Sequence, residues 1–200
     1  MIDNTTLFKV GYGLYVATTN DGDKQNGCIV NTVMQITQEP LKIAVAINKA
    51  NYTHDVAKAT GKLNINCLTE KVPFEVFQRF GFQSGRQVYK FSDFEYVLAR
   101  NGVAVMTNYI NSYLSLCVAN YIDMGTHGLF ICDVTEAKTV NDDESVTYSY
   151  YQKNIKPRPQ KKAKGFVCKI CGYTLEKDTL PPDFICPLCK HPASDFEPIE

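Results

Sequence analysis

The sequence predicts a mainly β protein: a closed or nearly closed antiparallel barrel with short helices, followed by a small metal-stapled module. Three observations lead there. Apolar runs of strand length, separated by turn-forming residues, recur from Leu14 to Gln152, and only two stretches carry helix signals. Four cysteines stand near the end in two matched pairs, Cys168 with Cys171 and Cys186 with Cys189. Between these regions lies a stretch, 153–165, with six basic residues, no acidic ones and two prolines.

The elements follow in order. Leu14 to Thr19 reads as a strand, and the Asp-Gly turn within Asn20 to Lys24 joins it to a second strand from Asn26 to Gln35. Leu41 to Asn48 is a continuous apolar run of strand length behind Pro40. A helix is expected from Thr53, as N-cap, to Thr60, with Gly61 as its stop. Leu63 to Leu68 returns as a strand, and Pro73 opens a second helix that ends at Gly81. Four further strands are expected over Val103–Asn108, Ser112–Ile122, Leu129–Ala137 and Val146–Gln152. No G-x-G-x-x-G follows any strand, which argues against a Rossmann nucleotide site.

Two hundred residues suffice for one domain with a proper core plus a small module. With 44% hydrophobic and 21% charged residues and no repeats, the composition is that of an ordinary globular chain. Met1 to Val10 has no apolar run behind a basic start, and Ile43 to Ile47 is far too short to span a bilayer. The expectation is a cytoplasmic protein with no membrane partner. Cys28, Cys67, Cys117 and Cys132 are scattered singly in apolar segments and read as reduced, buried thiols, in keeping with a reducing compartment.

The zero net charge hides a division. Residues 1–152 carry 12 basic against 15 acidic side chains, and residues 166–200 carry 3 against 6. The basic stretch between them has little to bury and reads as a flexible linker. It lacks the aromatic interleaving or binding fold of a nucleic-acid site, so no nucleic-acid partner is expected. The domains are then 1–152, a linker at 153–165, and 166–200.

Fourteen residues separate the two C-x-x-C pairs, and Gly172 and Pro187 tighten the turns around them. Two facing knuckles give four thiolates in a tetrahedron, which suits iron or zinc; two disulfides are the bland alternative. Phe166, Tyr173, Phe184 and Phe196 are spaced to cap the site, and Pro181, Pro182 and Pro187 stiffen the returning loop. A dry, apolar shell tunes a redox potential, which favours one iron and leaves zinc as the alternative metal. The strings F-V-C-K-I-C-G-Y and P-P-D-F-I-C-P-L-C-K, followed by D-F-E, resemble rubredoxin. Lys190 follows the last cysteine at a turn whose left-handed conformation favours glycine, at a cost of about 1 kcal/mol.

The strings N-G-C-I-V-N-T-V-M-Q-I-T-Q-E-P-L, I-N-K-A-N-Y-T-H, F-G-F-Q-S-G-R-x-x-x-K-F and G-T-H-G-L-F, in that order, resemble the flavin reductase-like family. The resemblance implies an FMN-binding split β-barrel with short helices, working as a homodimer, joined to the small rubredoxin-like metal-binding domain. It places Val30, Asn31, Thr32 and Val33 along the flavin, with Asn31 and Thr32 hydrogen-bonding its ring or ribityl oxygens. Asn48, Lys49 and Thr53 lead into a helix N-terminus suited to the FMN phosphate. Ser84, Gly85, Arg86 and Lys90 form a second polar cluster, and Phe80 lines the ring or packs in the core. No catalytic residue is required beyond the flavin, since hydride transfer needs no general base. His127 is a candidate for touching cofactor or nicotinamide, while His54 reads as structural.

A hydride delivers two electrons and a tetrathiolate iron accepts one, so a flavin converts between them. The fusion resembles the high-molecular-weight rubredoxins of anaerobic bacteria. That implies NAD(P)H as donor, directly or through a reductase, and a redox acceptor such as a flavodiiron oxygen or nitric oxide reductase. The alternative is a plain flavin reductase with a structural zinc ribbon used for partner binding.

Overall fold

The computed structural model describes residues 6, 9–22, 24–157 and 165–199. The first region is built on β1 (Tyr15–Asn20), β2 (Gln25–Val30), β3 (Val33–Gln38), β4 (Leu41–Asn48), β5 (Lys62–Leu68), β8 (Ile110–Asp123) and β9 (His127–Thr139), which form one sheet in the order β2-β1-β5-β8-β9-β4-β3. Its two outer strands, β2 and β3, are consecutive in the chain and joined only by Asn31 and Thr32. So short a link between opposite edges forces the sheet to curl until those edges face each other, and because they share no ladder the barrel stays split there. The single strand expected from Asn26 to Gln35 is therefore two strands: the chain must leave one edge and join the other. Beside the sheet lies a hairpin of β6 (Tyr96–Leu98) and β7 (Ala104–Met106), of which β6 was not foreseen.

Alternation along the strands sorts side chains into two apolar clusters. On β1, Val16 packs with Leu68, Val76, Phe77, Phe80 and Met106 beneath α2 (Phe74–Gly81), while Ala17 packs with Val45, Ile47, Leu63, Ile65 and Phe130 inside the barrel. Buried amides lace β7 to the barrel where strand pairing is missing. Asn66 Nδ2 donates to Val16 O (3.0 Å) while its Oδ1 accepts from Met106 N (2.9 Å), and Gln25 Oε1 accepts from Ala104 N (2.8 Å).

Helix α1 runs Tyr52–Thr60 with Asn51 at its N-cap, not Thr53; Gly61, at φ 69°, ends it in the left-handed conformation expected. Thr53 cannot cap because its side chain is buried, where its hydroxyl accepts from Asn26 Nδ2 at 3.1 Å. The strand expected over Val146–Gln152 is instead a helical turn, α3 (Tyr148–Tyr150), that runs on as a π-helical turn over Tyr151–Ile155. Thr147 Oγ1 accepts from Tyr150 N (3.1 Å) and starts the turn, which brings Tyr151 onto Phe77 with ring centroids 4.3 Å apart. The expected linker at 153–165 thus begins inside a helical turn; its 158–164 portion lies outside the described residues.

The last region folds around β10 (Phe166–Cys168), β11 (Thr174–Leu175) and β12 (Phe196–Pro198), a three-stranded sheet in the order β11-β10-β12. Among the described residues no helix is long and apolar enough to cross a membrane.

Candidate functional site

The split carries the first candidate site. Asn31 and Thr32 bridge the gap, with Thr32 Oγ1 donating to Asn31 Oδ1 at 3.2 Å and Thr32 O accepting from Ala46 N at 3.1 Å. Val30 is buried in the barrel core and Val33 is half-buried against it, so the two valines give apolar walls to either side of a polar link. Asn48, at the end of β4, pairs in register with His127 at the start of β9, which brings both to the same end of the sheet. Asn48 Oδ1 accepts from Ala50 N (2.9 Å), shaping the turn that leads into α1. Lys49 reaches Asp123 at 2.8 Å, and that ion pair holds the Asp123 carboxyl below its usual range. His127 shares a hydrogen bond with Thr126 Oγ1 at 2.9 Å.

The second polar cluster faces the N-terminus of α1. Arg86 pairs with Asp55 and lies over the Tyr52 ring at 4.8 Å, while Tyr52 donates to Asp21 at 2.8 Å. Ser84 Oγ accepts from Arg86 N at 3.3 Å. Gly85 sits directly against Asn26: a Cβ there would meet Asn26 Oδ1 at 2.2 Å, so only glycine lets the loop approach the buried Asn26–Thr53 pair. A cleft of about 110 Å³ opens between Asn26, Tyr52, Gly85 and Arg86. An N-terminus without a side-chain cap, with its positive dipole end, next to an exposed guanidinium is a donor set that fits a phosphate.

Three expected residues have other occupations. Lys90 is buried, and its ammonium donates to Gly27 O at 2.8 Å and Phe80 O at 3.2 Å, bracing β2 against α2. Burial pushes its pKa down to about 8. Phe80 packs in the core between Phe91 and Phe94, at 5.1 and 5.2 Å between centroids. Thr53 turns inward, as described above. His54 is structural, as the sequence suggested: it is buried and hydrogen-bonded to Asp55 and Tyr121 at 2.9 and 3.1 Å. Asn26 and Tyr52 were missed. The Asn-Gly at the start of β2 was the available signal for the first, since it allows a close backbone approach.

The metal centre gathers all four expected cysteines. Their sulfurs lie within 4.8 Å of one another, with Cys168 and Cys189 at 3.6 Å and Cys171 and Cys186 at 3.5 Å. Bonds of about 2.3 Å to a tetrahedral ion put sulfurs about 3.8 Å apart, so the cage fits one iron or zinc. Disulfides are excluded by those separations. Backbone N–H groups of Tyr173, Leu188, Cys189 and His191 point at the sulfurs of Cys171, Cys186 and Cys189, the donors that stabilise thiolates. Phe166, Tyr173, Phe184 and Phe196 surround the cage as the spacing suggested, with Phe184 edge-on to Phe196 at 5.3 Å. Lys190 adopts the left-handed conformation at φ 64°. Phe82, from the end of α2, also packs against this cluster.

These features define a split-barrel flavoprotein scaffold carrying its own tetrathiolate module. Comparison with known proteins places it further: the chain belongs to the flavin reductase-like family, whose domain model (flavin reductase like domain) matches residues 7–158. Residues 166–197 match the rubrerythrin, rubredoxin-like domain. The chain is 33% identical to the high molecular weight rubredoxin of Moorella thermoacetica, over 99% of this chain and all of that protein. It is 35% identical to the ferric-chelate reductase (NAD(P)H) of Archaeoglobus fulgidus, over 75% of this chain and 89% of that one. Among solved structures, the Streptomyces globisporus C-1027 NADH:FAD oxidoreductase SgcE6 shares the fold with a TM-score of 0.65 at 16% identity, covering 75% of this chain and 93% of that chain.

Proposed function

We propose that this chain is an electron-transfer flavo-rubredoxin. FMN held at the split takes a hydride from NAD(P)H, directly or through a reductase, and single electrons leave through one tetrathiolate iron to a partner such as a flavodiiron oxygen or nitric oxide reductase. The observation that carries this reading is contact between the metal module and the flavin-type barrel. Phe82 packs on the cysteine cluster, and it borders the same cavity as Gly81 and Ile29, two residues before Asn31.

The side chains divide the work. The α1 N-terminus and Arg86 hold the phosphate, with Ser84 and Gly85 shaping the loop that presents Arg86. Asn31, Thr32 and Asn48 offer donors and acceptors to the ring and ribityl chain, Val30 and Val33 exclude water, and Lys49 and His127 close that end. Cys168, Cys171, Cys186 and Cys189 hold the iron in a dry aromatic shell, which suits a redox ion. The barrel at 1–152, the stretch at 153–165 and the metal module at 166–200 remain the three parts, with the helical turn over Tyr151–Ile155 running from the first into the second. Strand β3, an edge strand with Met34 and Ile36 exposed, is the face offered to a second copy in a homodimer. The acidic module steers toward a basic partner surface in the cytoplasm.

Metal analysis and anaerobic titration test this together. Iron whose thiolate absorption bleaches as NAD(P)H is added, with three electrons consumed per chain, two at the flavin and one at the metal, supports the relay. Zinc, or iron whose bands persist under excess donor, leaves the flavin reductase with a partner-binding ribbon.

A further inference from the structure

Lys190 is the oddest residue in the metal module. It holds a positive φ of 64°, a left-handed conformation that favours glycine over any L-residue. Its side chain borders a cleft of about 420 Å³ whose other wall belongs to the barrel: Glu75 and Arg79 of α2, Asp93 beyond it, and Phe94. Pro187 and Leu188 stand beside Lys190 on the module's side. Across the cleft Gln78 Nε2 donates to Leu188 O, and Phe82, at the end of α2, lies against the cysteines.

We propose that the metal module docks on its own barrel through the 187–190 knuckle, seated on α2, with Gln78 and Phe82 as the positioning residues of the dock and Lys190 as its charged latch. The occupant is fixed by complementarity. The knuckle offers a carbonyl to an amide donor, an apolar leucine to a cleft that holds Phe94, and a cation to a wall carrying Glu75 and Asp93. Arg79 already neutralises Asp93 at 2.5 Å, which leaves Glu75, on the first turn of α2, as the carboxylate of the same cleft available to Lys190. A lysine that accepts backbone strain in order to face that wall has a reason to be there that glycine does not.

The dock also gives Phe82 its place. The same ring borders a second cavity, of about 250 Å³, with Ile29, Gly81 and Tyr151. One aromatic residue is thus shared by the metal cage and the flank of β2 that leads into the split. This deepens the electron-transfer reading and rests on it for its purpose, though not for its geometry. Seated this way, the module leaves Ile170 and Ile185 exposed, so an apolar face next to the cysteines stays open to an outside partner.

The test is zero-length coupling in the resting holoprotein. A carbodiimide joins amines to carboxylates without a spacer, and digestion with mass spectrometry locates the links. Coupling of Lys190 to Glu75 or Asp93 within one chain is expected, absent in Lys190→Gln. Yield of those two links should fall about fivefold or more in Gln78→Glu, where an acceptor replaces the donor facing Leu188 O. Phe82→Ser should lower it too, with flavin and metal content confirming that both variants fold. Lys190 coupled indiscriminately to carboxylates around the barrel, or equal yields in both variants and the parent, overturns the dock. Links that form as expected in a protein whose metal centre never changes colour uphold the dock and overturn only the relay.

Discussion

Replacing Lys90 by methionine distinguishes a structural brace from a cofactor ligand. The Lys90 ammonium is enclosed at 2% exposure and donates to Gly27 O and Phe80 O. Burial lowers its folded pKa to about 8, against 10.5 for an unburied lysine. A cation whose folded pKa is depressed binds fewer protons in the folded than in the unfolded chain between those two values, so stability due to this group rises with pH across that window. Each pH unit is worth about 1.4 kcal/mol at most, and the whole interval sums to about 3 kcal/mol. Below pH 8 both states hold the proton and the contribution is flat. The assay is denaturant unfolding of the parent and Lys90→Met at pH 7, 8, 9 and 10, read as the difference between them, which cancels every other titrating group. The parent should gain on the variant above pH 8, and the variant should keep its flavin. A difference that is flat from pH 7 to 10, or flavin lost while the fold is intact, would refute the assignment of Lys90 as a brace between β2 and α2.

Other outcomes follow from the same geometry. Arg86→Ala removes the guanidinium beside the α1 N-terminus and should weaken FMN binding about tenfold or more, while riboflavin, which has no phosphate, binds as before; fluorescence titration with both ligands checks this. In Gly85→Ala the new Cβ would meet Asn26 Oδ1 at 2.2 Å and drive the loop off the Asn26–Thr53 pair. A loss of about 1–3 kcal/mol in thermal or denaturant unfolding is expected, with weaker FMN retention. Lys190→Gly relieves the left-handed strain and should stabilise the metal-loaded module by about 1 kcal/mol, seen as slower loss of metal to a chelator, even as it abolishes the Lys190 coupling.

The metal cage was legible almost to the atom because its information is local: paired C-x-x-C strings fix the ligands, and the φ of Lys190 follows from the turn they require. The strands of the barrel were legible from apolar runs, Leu41 to Asn48 in full. What the sequence hid was long-range. The break at Asn31 and Thr32 follows from β2 and β3 lying at opposite sheet edges, a pairing pattern no local period records. The helical turn at Tyr148 replaced an expected strand because Tyr151 is needed on Phe77, and β-branched neighbours masked the i, i+3 spacing. Lys90 and Thr53 looked like ligands because both chemistries suit an anion; only burial reveals that Gly27 O, Phe80 O and Asn26 occupy them. The contact of Gln78 with Leu188 joins residues more than a hundred positions apart in sequence, and no motif announces it.

Electrons passing between the two centres inside one molecule are the core of the proposed function. Anaerobic stopped-flow mixing of holoprotein with NADPH or NADH, or with a reductase that feeds the flavin, separates the flavin bands from the thiolate-to-iron bands in time. Bleaching of the iron bands should trail flavin reduction as a first-order step whose rate is unchanged over a tenfold or so dilution of the protein. Iron that bleaches only in proportion to protein concentration, or stays oxidised beside a fully reduced flavin, would contradict it.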